Sequence, residues 1–130
     1  MAYDYDPENI FAKILKGEIP CTKVAESAHS LAFEDIHPKA PCHVLVIPKG
    51  SYVNADDFGA RASDAELADL ARLVSQVARE KGVAEAVGGN GFRIISNAGE
   101  DGVQEVPHYH VHILGARPLG RIVPKSAGEA

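Results

Sequence analysis

Three histidines alternate with an aromatic and an aliphatic residue near the end of the chain, in the run His108-Tyr109-His110-Val111-His112. The run and its flanks are rich in the β-branched and aromatic residues that favour strands. Because successive side chains of a β-strand point to opposite faces, this spacing predicts three imidazoles on one face of the strand. We therefore expect a strand over residues 106–114 that concentrates groups titrating near neutral pH.

Two helices are predicted from capping residues and apolar spacing. The first is capped by Asp6 and ends at Gly17. The second begins at the capping box Ser63-Asp64-Ala65-Glu66, carries apolar residues at helical spacing over residues 67–78, and ends at Gly82. Both helices have one apolar face, which must pack against another element.

Four further strands complete the predicted sheet. Residues 22–26 and 31–35 form a hairpin, residues 43–47 form an unbroken apolar strand, and residues 92–96 form another strand. The unbroken apolar run predicts a central strand that is covered on both faces. The prediction is one α+β domain over residues 1–130, with a largely antiparallel sheet of about five strands and two main helices. Residues 1–5 are expected to be a loose arm and residues 118–130 an irregular tail.

Composition limits the possible partners and the compartment. The chain has 130 residues and a net charge of −5, which argues against an extended nucleic-acid partner. No apolar run approaches the roughly eighteen residues of a membrane span. Two cysteines, Cys21 and Cys42, occur without a CxxC pattern or a signal sequence, which predicts free thiols in a reducing cytoplasm.

The alternating histidines permit two kinds of site. They could bind zinc through ring nitrogens, or one could act as a nucleophile with its neighbours as proton carriers. Gly99 and Gly102, with the amides of residues 103–106, could form a backbone pocket for an anion, which a structural zinc does not need. Only Glu105 offers a carboxylate beside the histidines. The residues favour phosphate chemistry and leave a metal site open.

The histidine run also fits the signature His-φ-His-φ-His-φ-φ of the histidine triad superfamily, in which φ is apolar. The surrounding chain resembles the Hint branch of that superfamily, the purine nucleoside phosphoramidases. The blocks that carry the resemblance are Ile10-Phe11-x-Lys13-Ile14, Gly17-Glu18-Ile19-Pro20, the segment 33–49, Asn97-x-Gly99 and Gly102-x-Gln104. They occur in order between residues 6 and 117, and the resemblance implies a HIT-like fold.

The resemblance implies catalytic roles for four histidines. His110 matches the nucleophile, which attacks the α-phosphorus of an adenosine-type nucleoside 5′-phosphoramidate and expels the amine. Water then hydrolyses the nucleotidyl-histidine and releases a nucleoside monophosphate. His112 matches the residue that serves the leaving group, and His108 and His43 match residues that support the phosphate.

The resemblance also implies a set of substrate-binding residues. Asp35 matches the acid that accepts hydrogen bonds from the ribose, and Asn97 matches a polar residue at the edge of the phosphate. The residues implied for the apolar base slot are Ile10, Phe11, Ile14, Phe33 and Ile36, and those of the loop before the histidines are Gln104, Glu105 and Val106.

Two departures from relatives affect these expectations. Glu105 stands where animal relatives carry a serine, so the resemblance does not specify the leaving group. Asn9 and Ala12 stand where some bacterial relatives carry zinc-binding cysteines, so no structural zinc is expected there. The resemblance implies neither a catalytic metal nor a cofactor. The resemblance further implies a homodimer, formed through the long helix and a central strand. The alternatives are a dinucleoside polyphosphate hydrolase and a nucleotide-binding module with little catalysis.

Overall fold

The computed structural model describes residues 3–122. In chain order its elements are α1 (Ile10–Leu15), β1 (Lys23–Glu26), β2 (Ser30–Glu34), β3 (Cys42–Pro48), α2 (Ala55–Arg61), α3 (Asp64–Glu80), a 3-10 turn (Glu85–Val87), β4 (Phe92–Ile95) and β5 (Val111–Gly115). The strands form one antiparallel sheet in the order β1-β2-β3-β5-β4. The predicted α+β class with five antiparallel strands is confirmed.

The central strand β3 is buried along its whole length and separates two apolar clusters. Val44 and Val46 face the cluster under α3, where they meet Leu73 and Val77. Leu45, on the opposite face, belongs to a smaller cluster with residues of α1 and β2. Because side chains alternate along β3, His43 shares the α1 face with Leu45. The sheet therefore presents its histidines on the side away from α3.

Helix α3 begins as the capping box predicted. The Ser63 hydroxyl accepts from the amide of Glu66, and the Glu66 carboxylate accepts from the amide of Ser63. The helix buries Leu70, Leu73 and Val77 against the sheet of its own chain. This part of its apolar stripe is consequently not available for contact with a second copy.

The predicted start of the first helix is wrong. Helix α1 begins at Ile10, and its cap is Asn9, whose side-chain oxygen accepts from the amide of Ala12 at 2.9 Å. Asp6 instead forms a turn, because its carboxylate accepts from the amide of Glu8 and its carbonyl oxygen accepts from the amide of Asn9. The helix is therefore shorter than the sequence pattern suggested.

The predicted extent of the histidine strand is also wrong. Strand β5 begins at Val111, so only His112 of the three histidines lies within it. The register pairs Val46 with Val111, and its continuation would place Pro48 opposite Tyr109. Proline has no amide hydrogen to continue the ladder, which explains why regular pairing stops there. The amide of Tyr109 donates instead to the carbonyl oxygen of Tyr52 at 2.7 Å.

Side chains nevertheless continue to alternate between the two sides of the sheet in the segment before β5. Tyr109 packs on Phe58 of α2, with ring centroids 4.9 Å apart, whereas His110 packs on Phe11 of α1. The histidines therefore share one side of the sheet, as predicted, although two of them precede the strand.

The two ends of the described chain differ from each other. Residues 3–5, expected to be loose, make side-chain hydrogen bonds to Asp56 and His108. Residues 118–122 contain no helix or strand, and the remainder of the predicted tail, residues 123–130, lies outside the described residues. Among residues 3–122 no helix is long and apolar enough to cross a membrane.

Candidate active site

An open cavity of about 510 Å³ lies on the α1 side of the sheet, at the point where β3 and β5 carry their histidines. Its walls combine imidazoles, carboxylates and a lysine with aliphatic side chains. The lining residues are Phe11, Asp35, His37, Lys39, His43, Leu45, Ile95, Asn97, Gly102, Val103, Glu105, Val106, His110, His112 and Leu114. Three of the four predicted catalytic histidines are brought together here.

The ring of His110 is oriented by its own backbone segment. Its Nδ1 lies 2.7 Å from the carbonyl oxygen of His108, and a carbonyl can only accept, so Nδ1 carries the proton. In the neutral ring Nε2 then keeps its lone pair, on the side away from that hydrogen bond. The Ser96 hydroxyl donates to the carbonyl oxygen of His110 at 2.7 Å and fixes the backbone at the same point. His110 therefore presents an unprotonated nitrogen in the wall of the cavity.

His108 lies behind this wall rather than in it. Its side chain is fully buried, and its Nε2 donates to the carbonyl oxygen of Pro48 at 2.8 Å. Its Nδ1 must then accept, and the hydroxyl of Tyr5 lies 2.6 Å away. Both ring nitrogens are occupied, so the His108 side chain does not support the phosphate in the way the resemblance implied. What His108 contributes to the site is its backbone carbonyl.

A chain of hydrogen bonds fixes the protons on the other two histidines. The amide of Lys39 donates to Nδ1 of His43 at 2.9 Å, which places the His43 proton on Nε2. That Nε2 lies 2.8 Å from Nδ1 of His112, which must accept and leaves the His112 proton on Nε2. His112 therefore offers a hydrogen-bond donor beside the lone pair of His110. The centroids of the two rings are 5.1 Å apart.

Three of the groups around the cavity are close enough to be considered as ligands of one metal ion. Side-chain atoms of Asp35, His43 and His112 lie within 4.8 Å of one another, close enough to share one ion. However, the lone pair on Nδ1 of His43 is taken by the Lys39 amide, so the nitrogen facing the other two groups carries a hydrogen. A metal ligand needs a lone pair at that atom. The donor set fits a hydrogen bond from His43 to His112 better than it fits a metal ion.

Burial lowers the pKa values of all four histidines. Desolvation lowers the pKa of His108 and of His112 to about 4, against the weaker opposing effect of the Pro48 carbonyl at His108. Desolvation also lowers the pKa of His110 and of His43, and nearby carboxylates oppose this shift in both. The four rings are therefore neutral at pH 7, which agrees with the proton positions inferred from the hydrogen bonds.

The loop before the histidines, residues 97–106, is held in place by internal hydrogen bonds and close packing. The Gln104 side chain donates to the carbonyl oxygens of Val53 and Val106, at 2.6 and 3.0 Å. Gly102 packs so closely that a Cβ there would lie 2.5 Å from the carbonyl oxygen of Ala98, which excludes other residues. Gln104 thus shapes the loop without lining the cavity, contrary to its predicted contact with substrate.

The predicted anion pocket is smaller than expected. The amides of Val103 and Gln104 donate to the carbonyl oxygens of Glu100 and Gly99, so neither is free for a ligand. Within residues 3–122 no acceptor meets the amides of Glu105 and Val106. These two donors remain available at the cavity.

The predicted base slot is only partly assembled. Phe11 lines the cavity, and Phe33 packs edge-on against it with ring centroids 5.6 Å apart. Ile10 and Ile36 are exposed, and Ile14 lines a separate surface depression near Cys21. Asp35, Asn97, Glu105 and Val106 do line the cavity. The aliphatic wall next to Phe11 comes instead from Leu45 and Val106.

Several lining residues were missed in the sequence. His37 and Lys39 stand in the loop after β2, and Leu45 and Leu114 share their sheet face with His43 and His112. Strand alternation could have identified the two leucines, because each is two residues from a histidine. No sequence pattern pointed to Tyr5, whose contact with His108 spans more than a hundred positions.

Comparisons with known proteins agree on one family. The HIT domain matches residues 16–119. A purine nucleoside phosphoramidase of Escherichia coli is 40% identical over 113 residues, which cover 87% of this chain and 91% of the relative. A HIT-like protein of Azospirillum brasilense is 58% identical over 125 residues, which cover 96% of this chain and 99% of the relative.

Solved structures give the same result for the fold. A HIT family hydrolase from Clostridium thermocellum superposes with a TM-score of 0.79 at 37% identity, covering 89% of this chain and 97% of that one. A histidine triad protein from Clostridium difficile gives a TM-score of 0.76 at 40% identity, covering 91% and 98%. The chain belongs to the HIT family.

Proposed function

We propose that this HIT-family hydrolase cleaves the P–N bond of adenosine-type purine nucleoside 5′-phosphoramidates. The observation that carries the proposal is the hydrogen bond from Nδ1 of His110 to the carbonyl of His108, which leaves Nε2 unprotonated at the cavity. A neutral imidazole is a good nucleophile near pH 7, and the adduct that it forms is itself a labile N–P bond. The 40% identity to a phosphoramidase of Escherichia coli also supports the proposal.

The reaction proceeds by two displacements at the same phosphorus. Nε2 of His110 attacks the α-phosphorus and the P–N bond breaks. The amine leaves with a proton taken from solvent, while the Nε2–H of neutral His112 donates a hydrogen bond beside the leaving group. Water then attacks the nucleotidyl-histidine, releases a proton to solvent and frees the nucleoside monophosphate. Over the cycle the water supplies one hydrogen to the amine and one hydroxyl to the phosphorus, so the enzyme returns unchanged.

The remaining cavity groups have proposed places around this phosphate. The free amides of Glu105 and Val106 donate to phosphate oxygens, and Asn97 donates at the edge of the same group. Asp35 accepts from the ribose hydroxyls, and the base lies against Phe11. His43 holds His112 in the tautomer that serves the leaving amine.

Two further parts of the proposal concern the cellular compartment and the oligomeric state of the enzyme. The free thiols of Cys21 and Cys42 support a reducing, cytoplasmic compartment. A homodimer is supported by β4, an edge strand whose Phe92 and Ile94 are 41% and 55% exposed. An edge strand that carries exposed apolar side chains favours pairing with a second chain.

The nucleophile is tested by His110→Ala. Removal of the attacking nitrogen should lower turnover of adenosine 5′-phosphoramidate by more than roughly a thousandfold, with the fold intact. His29→Ala is the matched control, because His29 is exposed in the turn between β1 and β2. AMP release is followed by chromatography, with diadenosine polyphosphate as a second substrate. Wild-type turnover by His110→Ala would contradict the mechanism, and faster cleavage of the polyphosphate would contradict the substrate class.

The expected pH dependence of the reaction follows from the direction in which the pKa of His110 is shifted. Burial lowers its pKa, so Nε2 stays unprotonated below the usual histidine value of about 6.5. We expect kcat/KM to stay level from about pH 8 down to about pH 6.5 and to fall only below it, as Nε2 gains a proton. The profile is corrected for uncatalysed acid hydrolysis. An acid limb with an apparent pKa above 6.5 would contradict a desolvated nucleophile.

Glu105 is expected to select the leaving group. Its exposed carboxylate lines the cavity and acts on His110 by charge, and it would favour a cationic amine over a neutral one. Glu105→Gln should reduce the preference for an ammonium-bearing leaving group over its neutral isostere by roughly two- to fivefold, the scale of an exposed ion pair. Competition between the two phosphoramidates measures the ratio. An unchanged ratio would show that Glu105 does not discriminate between leaving groups.

The proposed homodimer is tested at β4, the exposed edge strand of the sheet. Ile94→Glu should convert a homodimer to a monomer in sedimentation velocity, because it places a charge where the second copy would bury an apolar side chain. Ile10→Glu is the control, since Ile10 is 43% exposed but lies on α1. A monomeric wild-type protein, or a dimer that survives Ile94→Glu, would contradict an interface at β4.

A further inference from the structure

The N-terminal arm is attached at two tyrosine hydroxyls. Tyr3 donates to the carboxylate of Asp56 on α2 at 2.8 Å, and Tyr5 reaches Nδ1 of His108 at 2.6 Å. The Tyr5 ring also packs edge-on against the His108 ring, with centroids 5.6 Å apart and an angle of 71° between the planes. Residues 3–5 are thus part of the structure behind the active site, although Tyr5 does not line the cavity.

The direction of the Tyr5 hydrogen bond follows from its surroundings. Nε2 of His108 donates to the carbonyl of Pro48, so Nδ1 carries a lone pair and the tyrosine hydroxyl is the donor. The His108 side chain is fully buried. Loss of the hydroxyl would leave a buried acceptor without a partner, which costs more than an exposed hydrogen bond contributes. Tyr5 and Pro48 together fix the ring of His108 from both sides.

His108 transmits this constraint to the nucleophile. Its carbonyl oxygen accepts the Nδ1 hydrogen of His110 at 2.7 Å, and this contact sets both the tautomer and the direction of the His110 ring. A shift of the His108 backbone would move that acceptor and so misdirect Nε2. In such a site a misplacement of about 1 Å is enough to reduce the rate substantially.

We propose that Tyr5 is a positioning residue for the His110 nucleophile, acting through His108. Its hydroxyl holds the His108 ring, and the carbonyl of the same residue orients His110. The inference rests on the proposed function for its kinetic consequence, whereas the hydrogen bond itself is open to direct observation.

The experiment compares Tyr5→Phe with Tyr3→Phe in the full chain. Each variant loses one phenolic hydroxyl from the same arm and keeps its ring, but only Tyr5 contacts a histidine. For Tyr5→Phe we expect kcat for adenosine 5′-phosphoramidate to fall roughly two- to tenfold with KM unchanged, the scale of one neutral hydrogen bond. Tyr3→Phe should behave as wild type.

Nitrogen-15 NMR of the imidazoles supplies a readout that a purely structural role would not move. In Tyr5→Phe the Nδ1 resonance of His108 should shift toward that of a nitrogen without a hydrogen bond, and the Nδ1–H resonance of His110 should shift with it. Thermal melts of both variants establish that they are folded under the conditions of the assay.

The outcomes distinguish a failure of the Tyr5 role from a failure of the proposed function. Unchanged kcat in Tyr5→Phe, unchanged histidine resonances, or an equal loss in both variants would overturn the role of Tyr5. If the wild-type protein does not cleave phosphoramidates, the proposed function fails. The NMR comparison still decides whether Tyr5 orients His108 and His110.

Discussion

The site depends on one short hydrogen bond, from Nδ1 of His110 to the carbonyl oxygen of His108. It determines which nitrogen of His110 is protonated, and therefore which one can attack. His108 lies outside regular strand pairing, and Pro48 and Tyr5 hold its ring from opposite sides at the two ring nitrogens. A residue remote from the cavity thus controls the chemistry inside it.

The charge balance of the site follows from burial. Four imidazoles lie close together without mutual repulsion because desolvation keeps them neutral at pH 7. The Lys39 amide then sets the order of protons along His43 and His112, so that one nitrogen in the cavity accepts and a neighbouring one donates. A nucleophile beside a donor is the combination that a displacement at phosphorus with a poor leaving group requires.

Much of this arrangement could be predicted from the sequence, because it depends on local periodicity. The capping box at Ser63, the apolar strand β3 and the alternation of the histidines all use side chains within a few positions of one another. The start of β5 could not be predicted, because it depends on Pro48 in a partner strand sixty residues earlier. The role of Tyr5 was missed for the same reason. The base slot was predicted from resemblance, and only Phe11 of its five residues lines the cavity.

The central claim is a covalent intermediate on Nε2 of His110, and the stereochemical course at phosphorus tests it most directly. A P-chiral nucleoside phosphorothioamidate is hydrolysed in oxygen-18 water, and the configuration of the released thiophosphate is assigned. Two successive in-line displacements invert the phosphorus twice, so the account predicts overall retention. Overall inversion would mean that water attacks the substrate directly, and would contradict a nucleotidyl-histidine intermediate.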